Sequence, residues 1–130
     1  MIYPTNLTEL RQQTAAIVIA NQEGIVVEVN PAFETLTGWR SPEIIGQMIS
    51  VILPLTFRDA HHLGFSRFRA TEVAQVLNHP LELMVFTKDE REILSEHFIL
   101  AEKVNGEWLF GAMLRPLAVE QDLGDGESPP

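Results

Sequence analysis

The chain has 130 residues, of which 45% are hydrophobic and 21% charged, and it contains no Cys. That length fits one domain able to bury its own core, and the missing Cys excludes a disulfide framework, a Cys-ligated metal and a thiol nucleophile. Eighteen acids against nine Lys and Arg give a formal charge of −9. This sign argues against nucleic acid as a partner, and no apolar run reaches the ~20 residues of a membrane helix. A cytoplasmic domain with neither nucleic acid nor membrane as partner is expected.

Taken in chain order, Asn6 or Thr8 caps a short helix reaching Gln13, whose Leu7 and Leu10 form a sparse apolar edge suited to docking. Ala15–Ala20 is a β-branched run. The turn Asn21–Gly24 follows, and Ile25–Val29 completes a hairpin of two buried strands. Asn30-Pro31 opens a helix by capping and by a proline at its first position, and Gly38 ends it. Ser41-Pro42 repeats the device as far as Gly46, and a third short segment spans Ser50–Leu53. Thr56 to about Thr71 is the one longer helix, with Phe57, His61, Gly64, Phe65 and Phe68 on a single stripe.

Leu81–Thr87 is a strand, 88–91 a polar turn and Glu92–Val104 a long strand. On the long strand Ile93, Ser95, His97, Ile99 and Ala101 share one face, and Leu94, Glu96, Phe98, Leu100 and Glu102 the other. Asn105-Gly106 is a strong hairpin turn, after which Glu107–Leu117 forms the last strand with Trp108, Phe110, Ala112 and Leu114 alternating. The order predicts an α+β domain, a five-stranded antiparallel sheet with short helices and one longer helix on one face. Residues 1–13 form a leading cap helix and 14–117 the domain proper. The last stretch, 118–130, holds four acids and no base from Glu120 onward, a composition expected to remain disordered.

Neither a phosphate-binding glycine loop nor a Gly-x-Ser-x-Gly element is present. The acid-rich stretches lie in a turn and in the tail, where nothing apolar raises a carboxylate pKa. The expectation is a protein that is not an enzyme.

Several motifs in order resemble the PAS domain, a sensory module of bacterial kinases, cyclases and transcription regulators. Ile17-Val18-Ile19, Glu23–Val29 and Asn30-Pro31-Ala32-Phe33 are similar to the family's opening hairpin and helix entry. Gly38-Trp39, Pro42–Gly46, Arg58–His61 and Ser66–Thr71 are similar to the elements that follow. Lys88-Asp89 resembles the Lys-Asp-Gly turn, with Glu90 standing where Gly is usual. The exit also departs: Leu114-Arg115-Pro116-Leu117 replaces the usual Asp-Ile-Thr turn, and no effector follows, as in a stand-alone module or a piece of a longer sensor.

The resemblance implies a signal-transduction module that binds a small ligand, forms a homodimer, or both. It would regulate a separate partner such as a two-component histidine kinase or a transcription regulator. It also implies candidate pocket residues: His61, Gly64, Phe65, Arg67, Phe68, Leu81, His97 and Ile99.

Two further readings stay open. In haem-binding members of the family a His of the long helix ligates the iron, which implies His61 as proximal ligand. Arg67 would then lie near a propionate, and His79 or His97 on the distal side. His61 is alternatively a core histidine, as in members without haem. The other open reading is a dimerisation adaptor with a filled interior and no ligand. A flavin held without a covalent bond has no motif of its own. The apolar outer positions Leu94, Phe98 and Leu100 are covered either by the leading helix or by a second copy.

Overall fold

A computed structural model describes residues 3–56, 58 and 77–117. In chain order these form α1 (Leu7–Arg11), β1 (Ala16–Asn21), β2 (Val26–Val29), α2 (Pro31–Thr37), α3 (Ser41–Ile44) and a 3₁₀ turn at Ile49–Ile52. Then come β3 (Pro80–Phe86), β4 (Glu92–Val104) and β5 (Glu107–Pro116). The expected longer helix, Thr56 to about Thr71, falls almost wholly outside the described residues, as does the tail 118–130.

The strands form one antiparallel sheet in the order β2-β1-β5-β4-β3. The first and last strands are therefore central neighbours. β4 and β5 are joined by Asn105 and Gly106, both with left-handed φ (52° and 83°). Positive φ at both positions matches the right-handed twist of the flanking strands, which is why Asn-Gly suits this turn.

Strand register sorts side chains into two layers. Ala16, Val18 and Ala20 of β1 join Phe33, Ile44, Ile49, Ile52, Val85 and Leu114 in a core on the inner face, against α2, α3 and the 3₁₀ turn. Ile17, Ile19, Phe98, Leu100 and Met113 point the other way and are covered by Leu7 and Leu10 of α1. The leading helix thus occupies the apolar outer face. It is capped by Asn6, whose Oδ1 accepts from Glu9 N at 2.8 Å. Gly111 lies beneath it: a Cβ there would come within 2.9 Å of Leu7 Cδ2 and closer still to Leu10 Cδ2. Only a residue without a side chain lets the helix approach so near.

Polar contacts fasten the same layer. Tyr3 stacks on Phe98 with ring centroids 4.4 Å apart and donates its hydroxyl to Glu96 Oε1 at 3.1 Å. Glu96 also accepts from the Arg115 guanidinium. The Leu7 N–H donates to Glu102 Oε1 at 2.9 Å, so two carboxylates of β4 hold the N-terminal segment. The Arg115 guanidinium, followed by the Tyr3 hydroxyl, keeps the Glu96 pKa below the ordinary carboxylate range despite partial burial.

Asn30 ties the two halves of the inner layer together. Its Oδ1 accepts from Phe33 N (3.0 Å), capping α2, and from Ile17 N (2.9 Å), while its Nδ2 donates to Ala15 O (2.8 Å). Gly38 ends α2 with φ 79°. The following helix corrects the sequence reading by one position. Its N-cap is Arg40, and Ser41 and Pro42 are its first two residues. The reason is local: the Ser41 N–H is already held by Glu34 Oε2 at 2.5 Å, and Glu43 Oε1 accepts from Arg40 N at 3.0 Å. A serine cap would leave both carboxylates without these backbone donors.

Candidate functional site

The alternation of β4 decides what faces inward. His97 pairs with Leu114 of β5 on one side and with Leu81 of β3 on the other; two residues on, Ile99 pairs with Ala112. Paired residues in an antiparallel sheet share a face, so Leu81, His97 and Ile99 lie together with the small side chains Ala112, Ala16 and Val18. Three of the residues read from the sequence as pocket-lining are thereby brought into one patch. The remaining five, His61, Gly64, Phe65, Arg67 and Phe68, lie outside the described residues.

His79 is placed differently. It is exposed, in the bend before β3, where Asn78 N donates to Ile99 O at 2.8 Å and Leu77 bridges to Ile99. The backbone on either side touches the patch, but the imidazole of His79 is not buried within it.

His97 is 4% exposed. Burial pushes its pKa from 6.5 down to about 4, and a hydrogen bond to the Leu83 backbone offsets this only in part. The ring is therefore neutral at pH 7. Among the described residues its Nε2 has no hydrogen-bond partner, so the nitrogen bonded to Leu83 is Nδ1. Because a backbone carbonyl only accepts, Nδ1 carries the proton and Nε2 presents a lone pair. A buried polar atom without a partner costs free energy. Among the described residues that cost falls on the inner sheet face.

The charged groups near this side are occupied. Arg58 donates through Nε to Leu53 O at 2.9 Å and lies over the Phe86 ring at 5.8 Å. Lys88 Nζ pairs with Glu43 at 2.5 Å and sits 5.5 Å from the Trp39 ring centroid, while Lys88 N donates to Thr37 O at 2.7 Å. These contacts join the β3–β4 turn to α2 and α3. Trp39 Nε1, like His97 Nε2, is buried without a partner among the described residues. The Gly38-Trp39 motif marked this indole in the sequence but did not show that its N–H is enclosed. Among the described residues no cluster of three or more His, Asp or Glu is arranged to hold a metal ion, and no helix is long and apolar enough to cross a membrane.

Comparison with known proteins places this geometry. A family profile described as PAS fold matches residues 8–96. The oxygen sensor protein DosP of Escherichia coli K12 is 29% identical over 111 residues, covering 85% of this chain and 14% of DosP. The sensor protein FixL of Bradyrhizobium diazoefficiens is 31% identical over 62 residues, 48% of this chain and 12% of FixL. The chain thus spans about one-seventh or less of these curated relatives.

Among solved structures, a PAS domain from Desulfitobacterium hafniense superposes with TM-score 0.67 at 20% identity, covering 83% of this chain and 97% of that one. The PAS domain of the Cronobacter turicensis quorum-sensing receptor RpfR in complex with C12:0 superposes with TM-score 0.61 at 18% identity, covering 80% and 95%. At these identities the likeness is one of fold.

Proposed function

Since the chain belongs to the PAS family, we propose that it is a non-catalytic sensory module whose inner sheet face takes a small molecule and passes the occupancy to a partner. One observation carries this reading. The patch formed by Leu81, His97, Ile99 and Ala112 is apolar, built on small side chains, and holds a buried imidazole nitrogen with no partner. A face of this composition under a roof of helices is the usual form of a ligand site. Two curated relatives are sensors, and a fold neighbour is described in complex with C12:0.

The mechanism is a population shift. A ligand that binds one arrangement of sheet and helices more tightly than another biases the equilibrium by that difference in affinity. The partner is a histidine kinase or transcription regulator, and the module acts as a homodimer in the cytoplasm. Native mass spectrometry tests the reading. Protein purified from cells should carry an added small-molecule mass that is lost on denaturation. The bare chain mass alone overturns it and favours the adaptor role.

A second reading, haem sensing, is favoured by the state of His97. A neutral imidazole with Nδ1–H fixed on a backbone carbonyl, and an Nε2 lone pair without a partner among the described residues, is the form in which histidine can ligate a metal. In this reading His61 and His97 would hold the haem iron, and the group when bound would supply the redox or gas-binding chemistry. Addition of haemin should give a Soret band that survives desalting and is lost in His61→Ala. A colourless protein ends this reading.

A further inference from the structure

We propose that His97 Nε2 is the specificity element of the inner-face site, and that its ligand is an uncharged molecule with an aliphatic body and a single O–H or N–H directed at that nitrogen. This rests on the ligand-binding reading above and says what kind of molecule satisfies it.

Three observations combine. The first is direction of donation. The Leu83 carbonyl takes the Nδ1 proton, so Nε2 can only accept. A ligand group that also only accepts, such as an ether, ester carbonyl or carboxylate, would face lone pair against lone pair. A hydroxyl or amide N–H would form the missing bond.

The second is charge. The ring stays neutral at pH 7 because it is buried, so it offers an anion no countercharge. On the same face of β4 the next cation is Lys103, six residues along and about 20 Å away by strand rise. Its ammonium lies over the Trp108 ring at 5.7 Å. Arg58 and Lys88 are committed to backbone carbonyls and to Glu43. Among the described residues, nothing at this patch compensates a carboxylate.

The third is shape. His97 is flanked in register by Leu81 and Leu114, and Ile99 by Ala112. The surface around the nitrogen is mostly aliphatic, with small residues on the β5 side, and the buried Ser95 hydroxyl on the same face of β4 is already donated to Ile93 O at 3.2 Å. It suits an alkyl or alicyclic body and, among the described residues, supplies no second polar group that is not already hydrogen-bonded.

The penalty of an unmatched buried acceptor makes such a site discriminating. A ligand lacking the donor leaves Nε2 as it is, while one carrying it gains a hydrogen bond in a dry setting. The test uses the full chain and three probes of one length: 1-decanol, decyl methyl ether and decanoate, titrated calorimetrically at neutral pH. Nitrogen-15 spectra of the His97 ring are followed in parallel.

Wild type should bind the alcohol about 3- to 10-fold more tightly than the ether, with decanoate weakest. The Nε2 resonance should move with the alcohol and stay still with the ether. In His97→Phe the alcohol and ether should bind alike. In His97→Gln, which keeps an acceptor, part of the preference should return.

Equal binding of alcohol and ether to wild type, tighter binding of decanoate, or a preference that persists in His97→Phe each overturns the proposal. So does a failure of all three probes to bind. A purified protein that still carries a native small molecule in those cases leaves the sensory reading standing, whereas a bare chain removes both.

Discussion

Gly111 and Leu10 lie so close across the outer face that no side chain fits between them. Gly111→Ala therefore forces α1 away from the sheet or bends β5, and overpacking of this kind costs about 1–3 kcal/mol. We expect a lower urea midpoint together with faster hydrogen exchange confined to residues 3–13. Unchanged exchange in that segment would show that the helix is not seated by this contact.

Asn30 makes three hydrogen bonds at once, to Ile17, Phe33 and Ala15. Asn30→Ala removes the cap of α2 and leaves two backbone groups of the β1 side unpaired, a loss of about 2–3 kcal/mol. Asn30→Asp keeps the acceptor for both N–H groups but turns the Ala15 carbonyl against a carboxylate oxygen. It should lose less than Ala in chemical denaturation. Equal losses would mean that the donation to Ala15 O, and not the two accepted bonds, carries the stabilisation.

Glu90 adopts φ 65° in the turn after Lys88-Asp89, a backbone conformation that favours Gly. A left-handed conformation costs a residue with a Cβ about 1–2 kcal/mol, and glycine returns part of the gain as lost chain entropy. Glu90→Gly should therefore raise unfolding stability by about 0.5–1 kcal/mol. The Thr87–Asp89 and Asp89–Arg91 contacts that shape the turn should persist. A destabilised variant would indicate that the Glu90 side chain contributes more than its backbone costs.

His97 ties stability to pH. Its pKa is about 4 in the folded protein against 6.5 for the ordinary side chain, so between these values the unfolded chain binds a proton that the native one refuses. The stabilisation is fully present above pH 6.5 and declines as pH falls toward 4, by about 3 kcal/mol in all. His97→Phe should flatten this interval. The lowered carboxylate pKa values of Glu43, Asp89 and Glu96 act at more acidic pH and should remain. Denaturation midpoints at pH 7, 5.5 and 4.5 for both proteins decide the matter.

Sheet and hairpins were legible because their signals are local. Asn30-Pro31 and Asn105-Gly106 carry their turn chemistry in adjacent residues, and the two-residue period of β4 put His97 and Ile99 on one face before any coordinates. The Ser41 cap was read one position late because the competing acceptor, Glu34, lies a helix away. The tautomer of His97 was not legible at all, since it is set by the backbone oxygen of Leu83, an atom every residue possesses. Nor was the Gly111 approach, which joins positions about a hundred residues apart in the chain. Contacts between distant segments leave no periodicity for either partner to display.

The placement of β1 between β2 and β5 bears on how the molecule comes into being. An early hairpin of β1 and β2 has one edge open until β5 is available to pair with it. The pairing that closes it, from Ala16 to Leu114, brings together strands from opposite ends of the fold. Such non-local closure slows folding, so one edge of the Ile- and Val-rich first strand stays unpaired until β5 docks against it.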